Sequence, residues 1–246
     1  FIEAFEKIAL ENKVKFITGE EVISFDKENR KIKNVVTTKG KYSADIIISG
    51  ADYQHTDKKL LNGHANYSQK YWDKRVMAPS CLLFYVGIDK KLKDVQHHNL
   101  FFDESLEQHG LEIYKDPKWP SAPLFYVCAP SLTDASVAPE GSENLFFLIP
   151  IAPDLDDNEE TREKYFNILL KRFKEKTGND IASNIVYKKS FCIEDFKNDY
   201  NAFKGNAYGL ANTLRQTAIL KPSLRNKNLD NFYYTGQLTV PGPRVP

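Results

Sequence analysis

The opening of the chain combines one helical pattern with a run of short strand patterns. Apolar side chains at Phe1, Phe5 and Ile8 recur at helical spacing, which predicts a helix over residues 3–12. In residues 14–43, apolar positions alternate with polar ones around two charged turns, which predicts β-strands. The helical pattern is already under way at Phe1, with no capping residue before it, so we expect the chain to be a piece of a longer protein.

A strongly apolar segment follows these strands at residues 44–52. Ile46, Ile47 and Ile48 are consecutive and β-branched, which predicts a strand buried on both faces. A Ser-Gly-Ala sequence follows directly. Because α/β sheets bind ligands beyond the carboxyl ends of their strands, this turn is a candidate ligand-facing edge.

The middle of the chain predicts an antiparallel sheet that carries a helix. Four aromatic-rich apolar runs, separated by Pro-marked loops, predict strands over residues 79–88, 122–129, 143–152 and 184–193. A helical pattern predicts a helix over residues 158–177, with Asp157 as its N-cap and Gly178 as its stop.

Three of these strands carry a pair of adjacent aromatic residues. The pairs are Phe84-Tyr85, Phe125-Tyr126 and Phe146-Phe147. Successive side chains of a strand point to opposite faces, so one ring of each pair lies on each side of the sheet. A core explains one face, whereas the other must meet a helix, another domain or an apolar ligand.

The last part of the chain predicts a helix over residues 205–220 and a strand over residues 232–240. Gly236 ends the apolar part of this strand, and Pro241 and Gly242 require a turn with exposed backbone amides. Such a turn allows a flat or anionic ligand to approach the main chain. The residues by themselves favour an ordinary turn.

Composition narrows the class of protein. The 246 residues contain 34 Lys and Arg against 33 Asp and Glu, so a net charge of +1 gives no electrostatic reason to expect nucleic acid. The three cysteines are far apart, which predicts reduced thiols in a cytoplasmic protein. The sequence contains no run of 18 apolar residues that would predict a membrane-spanning helix.

The search for catalytic and metal-binding residues yields no assignment from the sequence. There is no GxSxG motif, and no catalytic residue is identified. His97 and His98 are adjacent, so on a strand they would point to opposite faces, which argues against a metal site formed by both. His55 follows the Ser-Gly-Ala turn and is interpreted as a helix-start or hydrogen-bonding residue.

Several stretches together resemble the bacterial phytoene desaturases, which are FAD-dependent carotenoid desaturases within the flavin amine oxidase superfamily. The resemblance is carried by SADIIISGADYQHTDKKLL, YWDKRVMAPSCLLFYVGI, HHNLFF, APSLTDASVAPEGSENLFFLIPIAPD, NDYNAFKGNAYGLANTLRQTAILKP and NFYYTGQLTVPGPRVP. It covers essentially the whole chain in the order of the family and corresponds to the C-terminal half of its members.

The resemblance implies FAD as the cofactor and assigns residues to its parts. Gly236 and Gln237 match the position beside the ribityl chain and phosphates, and Val22 matches the position whose backbone meets the adenine.

The same resemblance assigns the terminal turn. Pro241, Gly242 and Val245 match the flavin-facing turn of the family. Arg244 departs from the family pattern, which has Gly at this position. Because a Gly that lets backbone approach a ring tolerates a side chain poorly, this departure puts the local geometry in question.

The resemblance also implies a division into domains and a fold class. Residues 1–52 and 196–246 would belong to a Rossmann-type FAD-binding domain, and residues 53–195 would form an inserted substrate domain of antiparallel sheet and helices. The fold class is therefore α+β or α/β. The family's GxGxxG fingerprint does not occur in the sequence, so we expect the 246-residue chain alone to bind FAD poorly and to be inactive.

The function implied is dehydrogenation of a C40 polyene by hydride transfer to flavin. A C40 polyene is so apolar that it is held in a membrane. The resemblance therefore implies a cytoplasmic enzyme that is attached peripherally to the inner face of the membrane. Other members of the same fold remain alternatives, namely a carotene isomerase, a saturase or a later-pathway desaturase. A non-catalytic carotenoid-binding module is an alternative from a different class.

Overall fold

A computed structural model describes residues 1–242, which contain ten strands and six helices. The strands are β1 Val22–Glu28, β2 Lys31–Thr37, β3 Lys41–Ser43, β4 Ile47–Ser49, β5 Ser80–Ile88, β6 His98–Phe101, β7 Phe125–Cys128, β8 Glu143–Ile151, β9 Ile185–Phe191 and β10 Phe232–Tyr234. The helices are α1 Ile2–Glu11, α2 Tyr53–His55, α3 Gln69–Asp73, α4 Leu106–Tyr114, α5 Glu159–Thr177 and α6 Ile193–Tyr200.

A five-stranded antiparallel sheet dominates the middle of the chain, with the order β6-β7-β8-β5-β9. Its four predicted strands are confirmed within a few residues at each end, whereas β6 and helix α4 were not predicted. Helix α5 packs across one face of this sheet, where the ring of Phe166 lies 4.8 Å from that of Phe84. The predicted antiparallel sheet with a helix is therefore confirmed.

The aromatic pairs divide between the two faces of the sheet as predicted. Phe84, Phe125 and Phe147 are buried beneath α5. Their neighbours face the other side, where Tyr85 is 41% exposed and its ring lies 5.4 Å from that of Phe146. We call the side that carries Tyr85, Tyr126 and Phe146 the outer sheet face.

A hydrophobic cluster separate from the one beneath α5 surrounds a parallel pair of strands, β4 and β10. Phe232 of β10 is fully buried there and packs edge-on against Phe25 of the three-stranded sheet β1-β2-β3. Tyr53 and Trp72 also belong to this cluster, although the predicted boundary placed them in the substrate domain. The division into domains stays a prediction.

The prediction that residues 44–52 form a strand buried on both faces is wrong in the described chain. Ile47 is buried, but Ile46 is 62% exposed and Ile48 is 64% exposed. Within residues 1–242, β4 pairs only with β10. Successive side chains of β4 point to opposite faces of this pair, and only the face that carries Ile47 is covered.

The predicted helix over residues 205–220 is also wrong. Gly205 and Gly209 have positive φ, which removes them from the helical region. The amide of Gln216 donates to the backbone carbonyls of Val76 and Ala211, so a side chain replaces helical hydrogen bonds. Apart from short 3₁₀ turns, this segment is irregular, and the predicted strand over residues 232–240 is limited to β10.

Helix α5 begins one residue later than predicted, because Asn158 and not Asp157 is its N-cap. Asn158 Oδ1 accepts the backbone N–H of Thr161 at 2.9 Å. Asp157 instead accepts two hydrogen bonds from Arg162, at 2.6 and 2.7 Å. The predicted stop at Gly178 is confirmed by its left-handed φ of 74°.

Replacement of Asp157 by Ala is expected to lower the free energy of unfolding by about 1.5–3 kcal/mol, because the largely buried Arg162 loses its bidentate partner and keeps the ion pair with Asp195 at 2.8 Å. Burial opposes ionisation of Asp157, but hydrogen bonds from Arg162 and from the backbone N–H of Glu194 outweigh it and lower its pKa. The stabilisation is therefore present above the ordinary Asp pKa and is lost as the pH falls through the lowered value. Urea unfolding as a function of pH measures it, and a destabilisation under 1 kcal/mol at neutral pH would contradict it.

Candidate functional site

A cleft of about 580 Å³ opens at the carboxyl ends of the parallel strands β4 and β10. Its lining comes from the turns after both strands, from α6 and from the irregular segment after α6. The lining residues are Gly50, Ala51, Asp52, Tyr53, Phe196, Asp199, Tyr200, Asn201, Ala202, Asn206, Ala207, Thr235, Gly236, Gln237 and Leu238. We call this space the strand-end cleft. Its volume lies in the range of cofactor and small-molecule sites.

Two glycines leave the backbone of the strand-end cleft accessible. Gly236 has φ of 119°, which side chains rarely adopt, and a Cβ built on it would meet only the Gly50 carbonyl oxygen, at 3.8 Å. A Cβ on Gly50 would meet only the Thr235 methyl group, at 3.9 Å. The space beside both glycines is thus unfilled by the described chain, and a flat ligand could approach both main chains there.

The turn at Gly236 is supported from behind by the irregular segment. A Cβ on Gly209 would lie 2.5 Å from the carbonyl oxygen of Gln237, so the two backbones are in contact. Asn206 accepts hydrogen bonds from the Gly209 N–H and from the side-chain amide of Gln237, at 2.7 and 3.0 Å. These contacts fix the position of the turn and the orientation of the Gln237 amide.

Asp52 is an acidic residue of the cleft, directly after β4. One of its oxygens accepts the backbone N–H of His55 at 3.0 Å, and the other accepts that of Phe203 at 3.1 Å. Burial raises the pKa of Asp52, and the hydrogen bonds from these backbone groups only partly oppose it. Asp52 therefore links the end of β4 to the segment after α6 and caps α2, the short helix whose third and last residue is His55.

Aromatic residues connect the strand-end cleft with the outer sheet face. Phe196 and Tyr200 of α6 line the cleft, and both pack edge-on against Phe191 of β9. The ring centroids lie 4.8 and 6.2 Å from that of Phe191. An apolar path therefore runs from the two glycines to the sheet.

The predicted cofactor residues lie in three places. Gly236 and Gln237 line the strand-end cleft. Pro241 and Gly242 follow them but are not among the lining residues. Val22 begins β1, where it is half-buried against the Phe232 cluster and away from the cleft lining.

Two further residues of the predicted turn, Val245 and Arg244, lie outside the described residues. The structure therefore does not bear on the flavin-facing role expected of Val245 or on the departure at Arg244.

Lys221 is an unexpected buried cation beside this turn. Its side chain is only 6% exposed, and within residues 1–242 its ammonium nitrogen has no hydrogen-bond partner. A Cβ built on Gly242 would collide with that nitrogen, so the ammonium group lies directly against the turn. Burial lowers the pKa of Lys221. A buried cation that has no partner among the described residues fits an anionic or carbonyl-rich ligand at the turn.

The sequence analysis did not identify Asp52, Asn206, Tyr200 or Lys221. The sequence feature that could have identified Asp52 is its position directly after a predicted buried strand and a small-residue turn. Asn206 and Lys221 lie in or next to the segment that was interpreted as a helix, which concealed their roles.

The argument that adjacent histidines face apart is wrong here. The ring centroids of His97 and His98 lie only 4.2 Å apart. β6 begins at His98, so His97 belongs to the preceding loop and is free of the strand's alternation.

No helix within residues 1–242 combines the length and apolarity needed to cross a bilayer. Among solved structures, an oxidoreductase from Methanosarcina mazei matches 95% of this chain and 47% of its own length, with a TM-score of 0.60 at 16% identity. At this identity the likeness shows the fold alone, and together with the mixed helices and antiparallel sheets it confirms the predicted α+β fold class.

Three relatives are similar in sequence. A carotenoid 3,4-desaturase of Haloarcula japonica is 43% identical over 82% of this chain and 41% of its own length. A 4,4'-diapolycopen-4-al dehydrogenase of Metabacillus indicus is 30% identical over 89% and 45%. A zeta-carotene-forming phytoene desaturase of Myxococcus xanthus is 29% identical over 99% and 48%. The chain spans less than half the length of each.

The family model described as flavin containing amine oxidoreductase matches residues 1–242. Membership in this family implies a flavin cofactor. The match extends over all the elements that build the strand-end cleft, and the chain therefore belongs to the flavin containing amine oxidoreductase family.

Proposed function

We propose that this chain forms part of an FAD-dependent carotenoid desaturase. The observation that carries the proposal is the strand-end cleft, where Gly50 and Gly236 expose two backbones and an aromatic path leads to the outer sheet face. The similarity to carotenoid-modifying relatives supports a long apolar polyene as the substrate.

In this proposal the cleft residues bind and orient the cofactor. The backbone at Gly236 and Gly50 lies against it, and the Gln237 amide, oriented by Asn206, donates or accepts a hydrogen bond. Lys221 places a positive charge at the adjacent turn. FAD, when bound, would supply the hydride acceptor for the dehydrogenation, and the neighbouring carbon would release a proton as the double bond forms.

The outer sheet face and α6 are proposed to hold the substrate. Tyr85, Phe146 and Tyr126 form a row of rings across the sheet, with successive centroids 5.4 and 6.4 Å apart. Phe196 and Tyr200 continue the aromatic surface toward the cleft. Such a surface binds a polyene through apolar contact and excludes water from the reacting carbons.

We retain the predicted domain division and cofactor residues as part of this proposal. Residues 1–52 and 196–246 would contribute to FAD binding, and residues 53–195 would bind substrate. A C40 polyene partitions into lipid, so we also propose peripheral attachment of the whole enzyme to the inner face of the cytoplasmic membrane.

Two desaturase substrates compete within the proposal. The sequence resemblance favoured phytoene, but the 43% identity to a carotenoid 3,4-desaturase exceeds the 29% identity to a phytoene desaturase. This difference favours a carotenoid that is already partly desaturated.

The test expresses the full-length protein in bacterial cells that accumulate either phytoene or lycopene, with mass spectrometry and absorption spectra of the extracted pigments. We expect loss of two hydrogens per step and a shift to longer wavelength, with lycopene as the better substrate. An isomerase would leave the mass unchanged, a saturase would raise it, and a binding module would alter neither. Any of these three results in a flavin-loaded protein would overturn the proposal.

A further inference from the structure

Three soft or borderline metal-ligating side chains converge at the joined ends of β6 and β7. One nitrogen from each of His97 and His98 and the sulfur of Cys128 all lie within 4.8 Å of one another. His98 is directly opposite Cys128 in the antiparallel ladder. His97 is held by its carbonyl oxygen, which accepts the Ala129 N–H at 2.8 Å. The sheet therefore holds the backbones of all three residues in place.

Each imidazole also has an oxygen partner for its Nδ1 atom. His97 Nδ1 lies 2.6 Å from the Thr133 hydroxyl oxygen, and His98 Nδ1 lies 2.6 Å from the Tyr126 hydroxyl oxygen. Metal-binding histidines commonly use one ring nitrogen for the ion and the other for an oxygen that fixes the tautomer and the ring orientation. Both rings have an oxygen partner of this kind at Nδ1, which leaves the second nitrogen of each ring as the candidate ligand.

We propose that His97, His98 and Cys128 bind one divalent transition-metal ion of the Zn²⁺ class. Two imidazoles and one thiolate suit Zn²⁺, Co²⁺ or Cu²⁺ and do not suit Mg²⁺ or Ca²⁺, which prefer oxygen ligands. Around a tetrahedral ion the donor atoms approach to roughly 3.5 Å of each other, so binding requires only small side-chain rotations. The Cys128 thiol releases its proton to solvent when the sulfur ligates the ion.

The site has an open position and a defined neighbourhood. His98 is exposed, whereas His97 and Cys128 are half-buried, so a water molecule can complete the coordination from the solvent side. The ring of Tyr126, stacked 5.9 Å from His98, joins the site to the aromatic row of the outer sheet face. The inference does not depend on the proposed desaturase activity.

The test is titration of the full-length protein, stripped with chelator, with Co²⁺ alone. We expect one Co²⁺ per chain, with visible bands of tetrahedral type, a near-ultraviolet charge-transfer band from the thiolate, and displacement by Zn²⁺. Cys128→Ser should abolish the charge-transfer band. His98→Ala removes a ligand. It should lower Co²⁺ affinity at least as much as the loss of an oxygen that hydrogen-bonds a ligand, which is about 10- to 100-fold.

Two further variants remove the hydroxyl oxygens that hydrogen-bond the two imidazoles. Thr133→Val and Tyr126→Phe keep all three ligands, and each should weaken Co²⁺ binding by about 10- to 100-fold. His64→Ala, which removes a histidine elsewhere in the chain, is the matched control and should leave binding unchanged. Circular dichroism of each metal-free variant verifies folding. Absence of the charge-transfer band in the unaltered protein, its persistence in Cys128→Ser, or equal weakening by His64→Ala would each overturn the proposal.

Discussion

Replacement of Gly209 by Ala is expected to destabilise the protein by about 2–4 kcal/mol and to weaken FAD binding more than tenfold. Gly209 has φ of 73°, and a Cβ there would lie 2.5 Å from the Gln237 carbonyl oxygen. That atom belongs to the backbone and cannot rotate away, so the turn at Gly236 must move. Urea unfolding and fluorescence titration of the full-length protein with FAD measure the two effects.

The control for this substitution is Gly110→Ala in α4. A Cβ on Gly110 would meet nothing within 4 Å, and its φ is not in the left-handed region. Ala is favoured over Gly within a helix, so this variant should be unchanged or more stable by up to about 1 kcal/mol. Unaltered FAD affinity in Gly209→Ala, with the protein folded, would show that the turn does not contact the cofactor.

Replacement of Lys221 by Met is expected to have opposite effects on stability and on cofactor binding. The apoprotein should gain about 1–3 kcal/mol, because a buried ammonium group with no partner within residues 1–242 is replaced by an apolar side chain of similar length. FAD affinity should fall by roughly 10- to 100-fold, which corresponds to losing a hydrogen bond to a charged group. Thermal unfolding without FAD and titration with FAD measure the two changes separately.

The pH dependence of apoprotein stability provides a second readout of Lys221. Burial lowers its pKa, so the unfolded chain binds more protons than the folded chain between the lowered value and the ordinary Lys pKa. Stability of the unaltered apoprotein should therefore rise with pH across that window, and this rise should be absent in Lys221→Met.

Lys171 offers a matched control, since its side chain is 76% exposed. Lys171→Met should change neither FAD affinity nor the pH dependence. If Lys221→Met instead destabilises the apoprotein and leaves FAD affinity intact, Lys221 has a structural partner and does not contact the cofactor.

The central sheet and its helix were predictable because their patterns are local. Apolar runs bounded by Pro-marked loops indicated the strands, and the division of Phe84 from Tyr85 and of Phe147 from Phe146 followed from the pleat alone. Helix α5 ends at Gly178 for an equally local reason, the left-handed conformation that glycine adopts without strain.

Part of the candidate site could also be predicted from the sequence. Gly236 and Gln237 were identified through family resemblance, and the structure places both in the strand-end cleft. Their role in binding FAD stays a prediction. The small residues after β4 indicated a ligand-facing edge, and Gly50 lies beside Gly236 in the lining of that cleft.

The sequence by itself determined four strands of the central sheet and helix α5, together with the family to which the chain belongs. Tertiary structure alone decided the irregular segment after α6, because Gln216 and Asn206 satisfy backbone groups that a helix would otherwise pair. It also decided the approach of His97 to Cys128 and the burial of Lys221. Contacts between residues distant in the chain leave no periodic signal, since they depend on how separate elements pack.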